Sequence, residues 1–287
     1  MQPGEWAAEL DVAVAAARQA GRLLLDGFGR PTTERRKGAH DVVTALDRTS
    51  ERSIMGHIAG AFPMDRRLGE ESGLAVPARR PGSGPVRTWI VDPLDGTVNF
   101  ASGIPYWCVS VALAVDGRVI VGAIVDPLRN ETSVAVRGRG AWRLEDRAHL
   151  TARRLRRGAD AVVDADPGAV DDLDAEARIS VARLGVRAIR NLGSIALSLT
   201  SVAAGRLDGV IQVRGLGAVD IAAGGLIAAE AGARVTDADG GPWLVVDLPD
   251  RGTGIIAARP DLHRHLLRAR HERIPTRMDH PGLESSK

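Results

Sequence analysis

Residues 88–100, TWIVDPLDGTVNF, combine an apolar strand with an acidic, sharply turning end. The apolar run ends at Asp92, Pro93 restricts the backbone to a turn, and the Asp95-Gly96 pair is typical of a chain reversal. We therefore expect both carboxylates to project from one rigid corner. Asp-Pro and Asp-Gly are also ordinary turn sequences, so a purely structural corner is the alternative interpretation.

Strand-like runs follow this corner at residues 106–117, 118–127 and 132–142, which predict a meandering sheet. Apolar residues at helical spacing predict helices over residues 6–28 and 42–58 on its N-terminal side. A polar loop is expected at residues 30–41, and no regular structure is expected at residues 59–87. The glycine- and proline-rich part of that region, residues 77–87, is typical of a mobile surface loop.

The pattern changes beyond residue 157, where short strands alternate with helices and indicate a second layered α/β unit. The expected strands are residues 161–163, 188–190 and 210–213, and the expected helices are residues 171–184, 194–204 and 221–231. We therefore predict an N-terminal α+β half at residues 1–150, a C-terminal α/β half at residues 151–270, and a flexible polar tail at residues 271–287.

Composition excludes several classes of protein. The 287 residues are 44% hydrophobic, and no run approaches the roughly 18 apolar residues that cross a bilayer. Lys and Arg number 38 against 36 Asp and Glu, and the densest basic run, residues 153–157, carries no aromatic residue to stack on bases. The single cysteine, Cys108, excludes a disulfide framework. We expect a cytoplasmic protein that binds neither nucleic acid nor membrane.

Two more acidic positions accompany the corner. Glu70 and Glu71 follow Gly69, and Asp220 opens a helix of small residues, where a simple helix cap is the alternative role. Mg²⁺ prefers oxygen ligands and retains several waters, so carboxylates from separate segments together with a phosphate can complete a site. Two such ions can hold both the attacking and the leaving oxygen of a phosphoryl transfer.

Five motifs in this order resemble the inositol monophosphatase family of Mg²⁺-dependent, lithium-sensitive phosphatases. The motifs are KGAHDVVTALD (37–47), GEES (69–72), WIVDPLDGTVNF (89–100), NLGSIALSLTSVAAGRLDG (191–209) and VDIAAGGLIAAEAGARVTD (219–237). The resemblance spans residues 10–268 and implies a layered αβαβα sandwich of the sugar-phosphatase type, with two or three Mg²⁺ ions between its halves. It also implies a homodimer.

The resemblance assigns roles to individual residues. The implied metal ligands are Glu70, Asp92, the carbonyl of Leu94, Asp95 and Asp220. Glu70 and Thr97 would activate the attacking water, with Asp47 behind Thr97, and the amides of Gly96 and Thr97 would cradle the phosphate. Asp220 would lie beside the leaving group, Lys37 would approach the metals, and Ser194 would contact the substrate or, alternatively, only cap its helix.

The chain departs from the family pattern around its expected substrate site. Val219 replaces the usual tryptophan, and Gln212 is the residue nearest to the glutamate of inositol-selective members. The segment VIQVRGLGAVDIAAG (210–224) resembles archaeal-type members that also accept fructose 1,6-bisphosphate. Arg214 suits a second phosphate, or is a surface charge at a strand end. We predict hydrolysis of a small polyol or sugar phosphate resembling inositol 1-phosphate. The alternatives are fructose 1,6-bisphosphate, histidinol phosphate, 3′-phosphoadenosine 5′-phosphate, and a non-catalytic role in binding a partner.

Overall fold

The computed structural model describes residues 4–30, 34–36, 42–77, 84–152, 158–166, 184–244, 246 and 252–271. The helices in these ranges are α1 (Ala7–Gly27), α2 (Ala45–Ala61), α3 (Thr97–Ala101), α4 (Ile195–Ala203), α5 (Ala218–Glu230) and α6 (Pro260–His271). The strands are β1 (Glu34–Arg36), β2 (Val42–Thr44), β3 (Arg66–Gly69), β4 (Gly73–Ala75), β5 (Arg87–Asp95), β6 (Cys108–Val115), β7 (Arg118–Asp126), β8 (Glu131–Val136), β9 (Gly140–Arg143), β10 (Ala148–His149), β11 (Val162–Asp166), β12 (Ala188–Arg190), β13 (Gly209–Leu216), β14 (Arg234–Thr236) and β15 (Thr253–Ala258).

The larger sheet has eight strands in the order β10-β9-β8-β7-β6-β5-β3-β4. Strands β5 to β10 form an antiparallel meander, while β3 pairs with β5 in parallel. Successive side chains of a strand point to opposite faces. In β5, Trp89 and Val91 therefore pack on the side of α1 and α2, and Ile90 packs on the opposite side against α5.

The smaller sheet has five strands in the order β12-β11-β13-β15-β14. Helices α4 and α5 pack against each other and fill the space between the two sheets, whereas α6 covers the outer face of the smaller sheet. The layers are therefore helices, sheet, helices, sheet and helix, and the predicted αβαβα sandwich is confirmed.

One contact between the layers is unusually close. A Cβ on Gly122 of β7 would lie 3.0 Å from the carbonyl oxygen of Ala223 in α5. Because only glycine leaves that space empty, α5 rests directly on the backbone of the larger sheet. Two carboxylate oxygens of Glu230, at the other end of α5, accept the amides of Gly138 (2.8 Å) and Gly140 (2.9 Å) in the turn between β8 and β9.

Several local predictions differ from the structure. Residues 34–36, expected in a loop, form β1 and pair with β2, where the start of a helix was expected. Strands β3 and β4 occupy a region expected to lack regular structure, and residues 97–101 form a short helix that was not predicted. The described ranges do not include Lys37, residues 78–83, 153–157 and 167–183, or the tail at residues 272–287. None of the helices that the structure describes combines the length and apolar character that a bilayer crossing requires.

Candidate active site

The acidic corner at the end of β5 is a break in the sheet ladder. The pairing of β5 with β6 shifts register between Asp92 and Asp95, so the ladder is irregular at these two residues. The amide of Leu94 donates to Asp92 Oδ1 at 2.9 Å, and the Asp92 side chain is buried. Burial, followed by the negative charges of Glu70, Asp95 and Asp220, raises the pKa of Asp92 well above its usual range. Carboxylates from three separate chain segments therefore act on one another at this corner.

Asp95 is held by the start of α4 in the C-terminal half of the chain. Its Oδ2 accepts the hydroxyl of Ser194 at 2.5 Å and the amide of Ala196 at 2.8 Å. Burial raises the pKa of Asp95 to about 6, while the Ser194 and Ala196 hydrogen bonds oppose that increase. Buried Cys108 lies beneath the pair, with its Sγ 3.8 Å from Asp95 Oδ2. One carboxylate oxygen of Asp95 is thus held by hydrogen bonds from residues about 100 positions later in the chain.

Thr97 begins α3 directly after the corner. Its Oγ1 lies 3.1 Å from Asp47 Oδ1 and 3.0 Å from the carbonyl oxygen of Leu94. Gly96, which precedes it, has φ of 98°, and a Cβ there would lie 3.0 Å from the carbonyl oxygen of Tyr106. Both the positive φ and the lack of space require glycine at this position. The Asp95-Gly96 reversal thereby delivers Thr97 to Asp47.

Asp47 belongs to a buried polar face of α2 that extends to two more residues. Ser50 Oγ donates to the carbonyl oxygen of Pro93 at 3.0 Å, and Glu51 Oε2 accepts the amide of Glu71 at 2.7 Å. The exposed fractions are 1% for Asp47, 0% for Ser50 and 3% for Glu51. Ser50 and Glu51 were not predicted as site residues from the sequence. The signal that could have indicated them is the presence of two polar residues, three and four positions after Asp47, on the otherwise apolar side of the helix.

Asp220 lies in the first turn of α5, where its carboxylate accepts the amide of Gly217. It also lines a cavity of about 180 Å³, whose described lining comes from residues 164–220 with the addition of Asp95. The described lining includes Asp95, Asp164, Asn191, Ser194, Gln212, Gly215 and Asp220. Arg214 is exposed on β13 and is not part of this lining, although its carbonyl oxygen accepts Gln212 Nε2 at 3.3 Å.

Most of the predicted residues thus lie at one corner or line one cavity, whereas Arg214 does neither and Lys37 lies outside the described residues. Hydrogen bonds connect Thr97 with Asp47 and Asp95 with Ser194, and the charges of Glu70, Asp95 and Asp220 act on Asp92. Within the described ranges, no three His, Cys, Asp or Glu side chains converge closely enough to hold an ion by themselves. A cation at this corner would therefore need additional oxygen ligands.

The fold and the corner together define a phosphatase of the layered sugar-phosphatase type. Residues 6–274 match the family model described as the inositol monophosphatase family. The chain belongs to this family, whose members named as inositol monophosphatases are phosphoric monoester hydrolases.

Individual relatives agree with this assignment. Inositol monophosphatase 2 of Solanum lycopersicum is 37% identical over 242 residues, which cover 80% of this chain and 88% of that protein. The Nus factor SuhB of Pasteurella multocida is 37% identical over 272 residues, covering 90% and 94%. The crystal structure of the extragenic suppressor protein suhB from Bartonella henselae superposes with a TM-score of 0.79 at 35% identity, covering 92% and 99%.

Proposed function

We propose that the protein is a Mg²⁺-dependent phosphomonoesterase that hydrolyses a small polyol monophosphate resembling inositol 1-phosphate. The observation that carries the proposal is the corner at Asp92. There the buried carboxylates of Asp92 and Asp95 and the partly exposed carboxylates of Glu70 and Asp220 repel one another, and Asp95 and Asp220 line a cavity. Clustered negative charge is costly to bury, and bound cations would relieve it and would also attract a phosphate.

The donor set at this corner fits Mg²⁺. The residues that would hold it are Glu70, Asp92, the carbonyl oxygen of Leu94, Asp95 and Asp220. Mg²⁺ typically takes one or two carboxylates and completes its shell with water and substrate phosphate, so a closed cage of protein side chains is not required. When bound, two or three Mg²⁺ ions would neutralise the phosphate and lower the pKa of bound water.

The remaining chemistry is orientation of the attacking water and of the phosphate. Thr97 has one hydroxyl proton, and the Asp47 carboxylate is a stronger acceptor for it than the Leu94 carbonyl. With that proton held by Asp47, the lone pairs of Thr97 Oγ1 can accept a hydrogen bond from water. We propose that Thr97 and Glu70 orient the water in this way, and that the Gly96 and Thr97 amides bind phosphate oxygens.

The cavity favours a substrate with one phosphate and several hydroxyl groups. Among its described lining residues, Asp95, Asp164 and Asp220 are acidic and none is cationic, so a second phosphate would meet negative charge. Hydroxyl groups can instead donate to Gln212 or to the carboxylates. Histidinol phosphate is the second candidate, because its ammonium group also suits an acidic cavity. Contacts of Lys37 and Arg214 with the substrate remain predictions.

Phosphate release from a panel of substrates tests the proposal. The panel is inositol 1-phosphate, fructose 1,6-bisphosphate, histidinol phosphate and 3′-phosphoadenosine 5′-phosphate, each with and without Mg²⁺. We expect Mg²⁺-dependent release, strongest for inositol 1-phosphate, and its loss in Asp92→Asn. Asp116→Asn is the matched control, because Asp116 accepts an amide of Val86 on an exposed turn. Mg²⁺-independent release, or an active Asp92→Asn, would contradict the mechanism.

The proposal also covers the location and the oligomeric state of the enzyme. We propose that it acts in the cytoplasm as a homodimer whose N-terminal half, residues 1–150, supplies most of the metal ligands. Residues 151–270 would supply Asp220 and the substrate contacts. Light scattering tests the dimer, and inhibition by Li⁺ tests the expected lithium sensitivity. Relatives named Nus factor make partner binding the second candidate function, and an enzyme that binds no Mg²⁺ would favour it.

A further inference from the structure

The buried polar face of α2 contacts all three N-terminal segments of the candidate site. Asp47, Ser50 and Glu51 are spaced i, i+3 and i+4, so they lie on one side of the helix. Asp47 bonds to Thr97 at the start of α3, Ser50 bonds to the Asp92–Asp95 turn through the Pro93 carbonyl, and Glu51 bonds to the turn that carries Glu70. One helix therefore sets the relative positions of these segments.

Glu51 has the most restrictive surroundings of the three. A Cβ on Gly69 would lie 2.6 Å from the Glu51 carboxylate, so the backbone before Glu70 packs directly on that group. The amide of Glu70 donates to the carbonyl oxygen of Val91 at 3.3 Å, and the next amide, that of Glu71, donates to Glu51. The backbone of Glu70 is thus fixed by β5 on one side and by Glu51 on the other.

We propose that Glu51 is a positioning residue that orients Glu70 toward the metal site. The inference rests on the proposed function, since Glu70 is there a metal ligand. A buried carboxylate accepts an amide more strongly than a neutral group does, and it restrains the turn without touching the substrate. Groups that orient metal ligands typically change metal affinity or activity by about 10- to 100-fold when they are removed.

The test compares Glu51→Ala and Glu51→Gln with the unaltered full chain. Calorimetric titration of the metal-free proteins with Mg²⁺ measures affinity, and phosphate release at saturating Mg²⁺ measures kcat and KM. We expect Glu51→Ala to weaken Mg²⁺ affinity and lower kcat by about 10-fold or more, with KM unchanged. Glu51→Gln retains an oxygen that accepts the Glu71 amide, so its affinity should stay within about threefold of the unaltered protein.

Glu230→Ala is the matched control, since Glu230 also binds backbone amides through its carboxylate. It lies ten residues beyond Asp220 on α5, about 15 Å along the helix axis at the usual rise per residue. We expect it to lower the melting temperature and leave Mg²⁺ affinity unchanged. Should Glu51→Ala fail to fold, Gly69→Ala serves instead, because its methyl group would lie 2.6 Å from both the Glu51 carboxylate and Met55 Cε and would displace them while every acidic residue is retained.

The outcomes separate this inference from the proposed function. Unaltered Mg²⁺ affinity in both Glu51→Ala and Gly69→Ala would overturn the role of Glu51, as would equal losses in Glu51→Gln and Glu51→Ala. An unaltered protein that binds Mg²⁺ but releases no phosphate from any substrate would contradict the proposed function alone. An unaltered protein that binds no Mg²⁺ would overturn both.

Discussion

Removal of the Ser194 hydroxyl tests whether α4 anchors Asp95 for metal binding. Ser194→Ala deletes a hydrogen bond to a buried carboxylate, worth about 1.5–3 kcal/mol. It also deletes the helix cap, because Ser194 Oγ accepts the amide of Leu197 at 3.4 Å, which adds about 1 kcal/mol. We expect a total loss of about 3 kcal/mol, or about 6 °C in melting temperature for a chain of this size.

The same substitution should affect Mg²⁺ binding more than a general loss of stability would. Asp95 then keeps its backbone donors, including the Ala196 amide, but loses the hydroxyl donor. Its other oxygen is therefore less well oriented, and we expect about 10-fold weaker Mg²⁺ affinity by calorimetry. Ser194→Thr keeps the hydroxyl and should retain most of the affinity. Thr200→Val is the control on the same helix, since Thr200 donates only to the carbonyl of Ala196. Wild-type Mg²⁺ affinity in Ser194→Ala would refute the reasoning.

Three further substitutions test other parts of the fold. Asp65→Ala should lower the free energy of unfolding by about 3 kcal/mol, because it leaves the half-buried Arg87 without the carboxylate that accepts its Nε at 2.9 Å; denaturant titration measures the loss. Burial is the main cause that lowers the pKa of His263 to about 4. The free energy of unfolding should therefore fall by about 2 kcal/mol as pH drops from about 6.5 to about 4. His263→Gln should flatten this pH dependence, which unfolding experiments across that range measure. Gly193→Ala should reduce activity and melting temperature together, since φ is 77° and the new Cβ would lie 2.8 Å from Asn99 Nδ2; parallel kinetic and thermal measurements check this.

Each of these expectations has a contradicting result. An Asp65→Ala protein within 1 kcal/mol of the original would show that Arg87 is satisfied by its second partner, Glu9, at 3.0 Å. Identical pH profiles for His263→Gln and the original protein would mean that His263 has the same pKa in the folded and unfolded states. Full activity in Gly193→Ala would show that the loop before α4 tolerates a different backbone conformation.

His263 also illustrates how contacts define a protonation state. Thr236 donates its hydroxyl proton to the carbonyl oxygen of Asp237, so it can only accept from His263 Nε2 at 2.9 Å. The ring proton is therefore on Nε2, and Nδ1 is buried without a hydrogen-bond partner. Protonation of Nδ1 would place an unpaired donor and a charge in the core, which is the physical reason for the lowered pKa.

The parts of the site that depend on local chemistry were predictable from sequence. Asp92-Pro93 and Asp95-Gly96 indicated the corner because turn residues act within a few positions, and the small residues after Asp220 indicated α5. The predicted helix at residues 194–204 agrees with α4, including Ser194 as its cap. The alternation of strands and helices beyond residue 157 likewise predicted the C-terminal layers.

The parts that depend on distant contacts were not predictable in the same way. Ser50 bonds to a residue 43 positions away and Glu51 to one 20 positions away, and no local pattern specifies either pairing. Strand β3, RRLG, carries two arginines and becomes a strand because it pairs in parallel with β5 and antiparallel with β4. The strand was expected to end at Asp92, but β5 continues to Asp95, and the reversal at Gly96 then starts a short helix.

The close packing of α5 on Gly122, which has no side chain, bears on how the protein selects its substrate. Asp220 is carried by α5, and α5 is seated on the backbone of the sheet that carries Asp92 and Asp95. A motion that changed the spacing of Asp220 relative to Asp92 and Asp95 would have to break this contact. We therefore expect these acidic groups to keep their spacing when a ligand binds. We expect substrate selectivity to reside in residues that line the cavity beyond these acids, of which Gln212 on β13 and Asn191 before α4 are the first to exchange.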